Sequence, residues 1–134
     1  MADNLFQLKI ITPERIFYEG EVSMVEFNTT EGEIGVLKNH IPLTTVIAPG
    51  IVTIHEEEEN KKAVVHAGFA EILEEKVTIL AEIAEWPGEI DLDRARAAED
   101  RAKERLNDKT GDWDVARAEY ALKKALIRQD ILAD

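Results

Sequence analysis

The sequence predicts an α+β chain, with a β-sandwich or barrel over residues 1–86 and an antiparallel helical hairpin over residues 87–134. Three observations carry that expectation. The texture changes abruptly at Trp86-Pro87-Gly88, after which there is no proline and a single glycine, Gly111. Before the break, short apolar runs recur at spacings of about 8–12 residues with Gly or Pro between them, and no helix-length periodic stretch intervenes to build βαβ units. After it, apolar residues recur at steps of three and four, the period of an amphipathic helix.

The strands follow in order. Leu5 to Ile11 alternates and ends at the turn Thr12-Pro13-Glu14; Ile16-Phe17-Tyr18 runs into Glu19-Gly20-Glu21, read as another turn. Val22 to Phe27 resumes alternation, Thr30-Glu31-Gly32-Glu33 is a loop, and Ile34-Gly35-Val36-Leu37 follows. Pro49-Gly50 announces Ile51 to Ile54. The run Glu56 to Glu59 with Asn60 separates that strand from Ala63 to His66, and Ala67 to Leu73 and Val77 to Leu80 complete the series. Four adjacent glutamates repel one another and avoid burial, so they read as a solvated hairpin tip. An acidic metal site is the sharper alternative, but no second ligand set lies nearby.

In the helical half, Asp91 is placed to cap a first helix with Asp93 in its first turn. Leu92, Ala95, Ala98 or Glu99, Ala102 and Leu106 descend one face, and Asn107 to Gly111 breaks the pattern. Asp112 or Asp114 caps a second helix, whose stripe runs Val115, Ala118, Leu122, Ala125 and Ile127 or Gln129. Two helices joined by a short turn pack antiparallel. Their seam is mostly alanine, and a methyl contributes a fraction of the roughly 1.5–3 kcal/mol of a buried leucine. One reading is a hairpin that opens without unfolding the β body; the other is a hairpin that stays rigid.

Composition bounds the function. The chain of 134 residues carries 45% hydrophobic residues, which excludes global disorder, and no apolar stretch approaches the roughly 20 residues of a membrane span. There is no cysteine, hence no disulfide or thiolate metal site, and Met1-Ala2-Asp3-Asn4 lacks the basic and apolar regions of a signal peptide; a cytosolic placement is expected. The formal charge is −12, of which residues 1–88 hold −10 and residues 89–134 hold −2. So acidic a body repels nucleic acid and anionic headgroups.

No catalytic constellation is present. Ser23 is the only serine and lies in a strand pattern, while His40, His55 and His66 have no metal-ligand spacing. His40, in Asn39-His40-Ile41-Pro42-Leu43, reads as a loop-holding residue, and His55 and His66 as facing or edge positions of a hairpin. The helical half is rich in cations: Arg94, Arg101 and Arg105, then Arg117, Lys123, Lys124 and Arg128. One reading is a surface laced with ion pairs. The other is an anion site assembled from Arg94, Arg101, Lys124 and Arg128 when the hairpin folds, since guanidinium offers paired donors to phosphate.

Six segments in register resemble one family across essentially the whole chain: Thr12-Pro13-Glu14, Glu31-Gly32-Glu33-Ile34-Gly35-Val36-Leu37, Asn39-His40-Ile41-Pro42-Leu43, Gly68-Phe69-Ala70-Glu71, Val77-Thr78-Ile79-Leu80-Ala81 and Ile90-Asp91-Leu92-Asp93-Arg94-Ala95. The family is that of the epsilon subunits of bacterial F-type ATP synthases. The resemblance implies a flattened ten-stranded β-sandwich and two antiparallel helices. It implies a non-catalytic rotor subunit on the cytoplasmic face of the bacterial membrane, reaching the membrane only through its complex. The sandwich would grip the gamma subunit and rest on the c-subunit ring, with Glu31, Gly32 and Glu33 facing the ring and His40 on the same lower end.

The hairpin would act as a brake on ATP hydrolysis. Extended, its cations Arg117, Lys123, Lys124 and Arg128 would meet the acidic segment of a catalytic beta subunit, beside alpha. Folded, it would bind ATP, with or without magnesium, as a regulatory ligand rather than an obligatory cofactor. By position, Glu85 and Asp91 would hold the nucleoside end, Ala95 would give backbone contact, and Arg94, Arg101 and Arg128 would meet phosphates. Where the best ATP binders have arginine this chain has Lys124, which keeps the charge and loses the paired fork. The alternative function is an ATP-sensing module with little inhibitory role.

Overall fold

The computed structural model describes residues 4–108, 111 and 113–133, in two compact units that divide between Glu85 and Trp86. Among the described residues the first unit holds eight strands: β1 (Phe6–Ile11), β2 (Ile16–Val22), β3 (Met24–Thr29), β4 (Gly32–Val36), β5 (Leu43–Val46), β6 (Gly50–His55), β7 (Asn60–Ile72) and β8 (Lys76–Glu85). They are hydrogen-bonded in the order β2-β1-β8-β7-β6-β3-β4, with β5 also beside β7. Every pairing is antiparallel except β1 with β8.

The sheet folds over on itself as a β-sandwich. Thr29 of β3 bridges to Ile47 beyond β5, and the Thr30 N–H donates to the Val46 carbonyl at 3.1 Å. Tyr18, on the outermost strand β2, reaches the β6–β7 tip, where its hydroxyl donates to Glu56 Oε2 at 2.5 Å. The enclosed core is made by the inward phase of each strand, including Leu8, Ile10, Phe27, Ile54, Ile72 and Ile79, all fully buried. Each such side chain contributes about 1.5–3 kcal/mol over its exposed state. The glutamate tip is as expected: the Glu56 N–H donates to the Glu59 carbonyl, and Glu57 to Glu59 are exposed. The Tyr18 hydroxyl and then Lys61 hold the Glu56 carboxyl below the usual carboxylate range, while burial, with Glu56 assisting, pushes the Tyr18 phenol up.

The strand count is eight, where the resemblance implied ten, and one long strand, β7, does the work of two. Its first part pairs with β6 and its last part with β5, while β8 runs alongside in one unbroken register from Val64↔Glu85 to Ile72↔Val77. Between them Ala67 (φ 57°) and Gly68 (φ 121°) bend the strand without ending it. In the sequence the same place, between His66 and Ala67, separates what read as two strands. At Gly68 a Cβ would stand 1.8 Å from the Leu80 carbonyl oxygen, so the close approach of β8 requires glycine.

Two further expectations are corrected. Glu19-Gly20-Glu21 is not a turn but the middle of β2, where Gly20 faces Leu8. A Cβ on Gly20 would lie 2.7 Å from the Tyr18 hydroxyl, so the glycine makes room for that side chain on its way to Glu56. Leu43-Thr44-Thr45-Val46, passed over in the sequence, is strand β5, formed because β7 offers it the edge left free beyond β6. His55 and His66 lie at opposite ends of the β6–β7 hairpin; His55 Nε2 stands 2.6 Å from Glu26 Oε1, and His66 is buried.

The second unit opens with a 3-10 turn at Pro87–Glu89 and contains α1 (Leu92–Asn107) and α2 (Val115–Ala133). Asp91 caps α1, its Oδ1 accepting from the Arg94 N–H at 3.1 Å. Asp114 does the same for α2 through the Arg117 N–H at 3.1 Å; Asp112, the other candidate cap, lies outside the described residues. The short connection between Asn107 and Val115 makes the packed helices antiparallel, and Gln129 of α2 donates to Glu99 of α1 at 2.7 Å. Ala95, Ala102, Ala118 and Ala125 form the buried seam, each pair seven residues apart, so the two alanine rows meet at one phase. Ile131 joins them, whereas Val115, expected in the stripe, is 55% exposed because it sits in the first turn of α2.

Candidate functional site

The cations expected to meet an anion are carried by two rigid helices. Arg94 and Arg101, seven residues apart, share a face of α1 one step from the seam alanines Ala95 and Ala102. Lys124 and Arg128, four apart, share a face of α2 on either side of Ala125. The alanine rows thereby bring the helix backbones close with the basic side chains beside the seam. Asp91 is engaged as the α1 cap, and Ala95 is buried. Glu85 closes β8 opposite Val64, in the β unit. Lys124 lies over the Tyr120 ring, its Nζ 4.9 Å from the centroid, and Arg101 borders a shallow groove on α1 with Asp100, Lys103 and Glu104. Glu99 accepts from Gln129 and pairs with Lys103 at 2.5 Å; Lys103 and then Gln129 hold its carboxyl below the ordinary range, and Glu99 raises the lysine. Arg117 and Lys123 are exposed on α2.

The acidic loop and the histidine loop mark the two ends of β4, an outer strand of the sheet. Glu31 is set by an ST-turn: its N–H donates to Thr29 Oγ1 at 3.1 Å, and that hydroxyl donates to the Gly32 carbonyl at 2.8 Å. Gly32 takes φ 127°, and Glu33 follows exposed in β4. Past the end of β4, the Asn39 N–H donates to the Glu74 carbonyl at 2.7 Å and His40 Nδ1 to the Ile41 carbonyl at 2.7 Å. A carbonyl only accepts, so Nδ1 carries the proton and the imidazole braces its own loop.

A feature the sequence reading missed lies on the outer face of β5, β7, β8, β1 and β2. Their registers align Val46, Phe69, Leu80, Ile11 and Ile16 in one row. Phe69 and Leu80 are 54% and 49% exposed, and Val46 and Ile16 are exposed as well. The adjacent row on the same face, Thr44, Glu71, Thr78, Lys9 and Glu19, is polar. Five apolar side chains across five strands form a contiguous patch of the kind that marks a docking surface. The signal was available: in Val77-Thr78-Ile79-Leu80-Ala81, Leu80 breaks the alternation at the solvent phase. Among the described residues no group of acidic and histidine side chains is placed to hold a metal, and no helix is long and apolar enough to cross a membrane.

Comparison with known proteins places this geometry. Residues 5–87 match the model of the ATP synthase delta/epsilon chain β-sandwich domain, and residues 89–131 that of the delta/epsilon chain long α-helix domain. The ATP synthase epsilon chain of Caldanaerobacter subterraneus subsp. tengcongensis is 48% identical, over 96% of this chain and 94% of its own. That of Brevibacillus brevis is 46% identical, over 92% and 95%. In fold, a chain of the Euglena gracilis mitochondrial ATP synthase, solved with OSCP, F1 and the c-ring, superposes with a TM-score of 0.85 at 24% identity, covering 96% of this chain and 81% of that one. With both units matched in order and relatives aligned nearly end to end, the chain belongs to the ATP synthase delta/epsilon chain family, alongside the bacterial epsilon chains.

Proposed function

We propose that the chain is a non-catalytic central-stalk subunit of a rotary ATP synthase, in which residues 1–86 dock on the rotor and residues 87–134 regulate. The observation that carries the reading is the apolar row of exposed Val46, Phe69, Leu80 and Ile16 with half-buried Ile11. Family membership gives it an occupant: the gamma subunit would cover this face, and a central pair of large side chains supplies the anchor such interfaces need. Glu31, Gly32, Glu33 and His40, at the ends of an outer strand, would face the c ring. Placement is then peripheral, at the cytoplasmic face of the membrane and through the complex. A Phe69→Glu, Leu80→Glu double variant should keep its far-UV circular dichroism and fail to co-purify with gamma; co-purification at wild-type yield would overturn the docking assignment.

The hairpin serves as the brake, meeting beta and alpha when extended through Arg117, Lys123, Lys124 and Arg128, and folding around ATP through Glu85, Asp91, Arg94, Ala95, Arg101, Lys124 and Arg128. What supports this is the pairing of a weak alanine seam with cations flanking it on both helices. A ligand shifts such an equilibrium only by its differential affinity for the folded form. Deleting the residues after Pro87 should raise hydrolysis in a reconstituted enzyme; unchanged hydrolysis and activation refute the brake. The second reading, an ATP sensor with little inhibitory role, is favoured if calorimetry detects Mg-ATP binding that Arg94→Ala abolishes while the truncation leaves hydrolysis unchanged.

A further inference from the structure

The turn between the helices holds a cluster outside every residue assigned above. Asp108, just past the end of α1, keeps its N–H on the Glu104 carbonyl and turns its carboxylate across the turn. Oδ1 accepts from the Gly111 N–H at 3.1 Å, and Oδ2 accepts from the Trp113 indole Nε1–H at 3.1 Å. The Arg105 guanidinium, in the last turn of α1, lies 5.0 Å from the centroid of the same indole. Gly111 lies directly beneath: a Cβ there would be 2.2 Å from Trp113 Nε1 and 2.7 Å from Asp108 Oδ2. Trp113 is followed by Asp114, the cap of α2, so the cluster ties the last turn of α1 to the first residues before α2.

The buried seam that would otherwise hold these helices together is mostly alanine, with Ile131 its one larger buried side chain among the described residues, so it has small apolar area to lose on opening. A charge-assisted indole hydrogen bond and a cation–π contact at the turn are of the same order as several buried methyls. We propose that Trp113, with Arg105 and Asp108, is a turn clasp that holds the hairpin closed and sets its bias against opening independently of any ligand. The proposal rests on the reading above that the hairpin has an open form. It assigns that equilibrium a determinant at the turn, away from the nucleotide-contacting positions.

The test is amide hydrogen exchange on the full chain without nucleotide, comparing wild type with Trp113→Ala and Gly111→Ala. The second variant keeps both partners and forces them apart, so the two do not share one failure mode. Expected is exchange roughly tenfold faster or more along both α1 and α2 in each variant, with peptides of β6 and β7 unchanged as an internal control. Exchange within about twofold of wild type in both variants overturns the clasp. So does acceleration confined to the turn itself, or acceleration that extends equally into the sandwich. The reconstituted-enzyme truncation remains a separate measurement, so failure of the clasp and failure of the brake are told apart.

Discussion

Replacing Gly68 with alanine should be among the costliest single-methyl additions in this chain. The new Cβ would stand 1.8 Å from the Leu80 carbonyl oxygen, 2.9 Å from its carbonyl carbon and 3.0 Å from the Ala81 α-carbon. All three are backbone atoms, so no side-chain rotation relieves the clash, and β8 has to move away from β7 where Gly68↔Ala81 and Phe69↔Leu80 are paired. The φ of 121° adds strain of about 1–3 kcal/mol for a residue bearing a side chain. Overpacking at a fixed contact adds about 1–3 kcal/mol. The expected loss is therefore about 2–6 kcal/mol, against roughly 0.05–0.15 kcal/mol of stability per residue of the unit. At about 4–8 °C per kcal/mol, Tm should fall by about 10 °C or more, read by far-UV circular dichroism during heating. Gly88 has open space around it, so Gly88→Ala is the control and should stay within about 1 kcal/mol of wild type. If Gly68→Ala also stayed within that margin, the argument that the β7 bend is dictated by backbone approach would be wrong.

Three more outcomes are expected. Tyr18→Phe removes the hydroxyl that depresses the Glu56 carboxyl; a depressed carboxyl stabilises the fold above its unfolded pKa and loses that contribution as pH falls, so the variant should lose about 1 kcal/mol near neutrality, after allowing for solvent screening, and little at the acid end of urea titrations. The same variant should escape the alkaline loss of wild type, whose raised phenol pKa stabilises below about pH 10 and ceases to do so as the folded form ionises. Asp91→Ala should cost the hairpin about 1 kcal/mol of cap energy, visible as lower ellipticity at about 222 nm, with Asp91→Asn recovering most of it. On the proposal that the folded hairpin takes Mg-ATP, Lys124→Arg should tighten that binding by roughly three- to tenfold in calorimetry, and an unchanged affinity would show that the paired fork makes no contact there.

Much of the architecture was legible because its causes are local. The Asp91 cap, the alanine period and the solvated Glu57 to Glu59 tip each follow from residue types within a few positions of one another. The errors share a cause as well. Gly20 looked like a turn because the side chain it makes room for, Tyr18, is aimed at a partner 38 residues away. β5 was invisible because its four residues form a strand only when β7 supplies an edge. Glu99 and Gln129 stood as alternatives to Ala98 and Ile127, and only their meeting across the hairpin shows that both face inward.

The sequence by itself determined that the first part is sheet and the second helix, and that the helices meet along alanines. Periodicity and capping are short-range, so the chain announces them directly. The tertiary structure alone decided that one bent strand serves in place of two, that Phe69 and Leu80 come side by side on an outer face, and that Trp113 closes over Gly111 onto Asp108. Those facts depend on strand register and on close approach between segments distant in sequence or across a turn. No local pattern encodes which residue will stand opposite which.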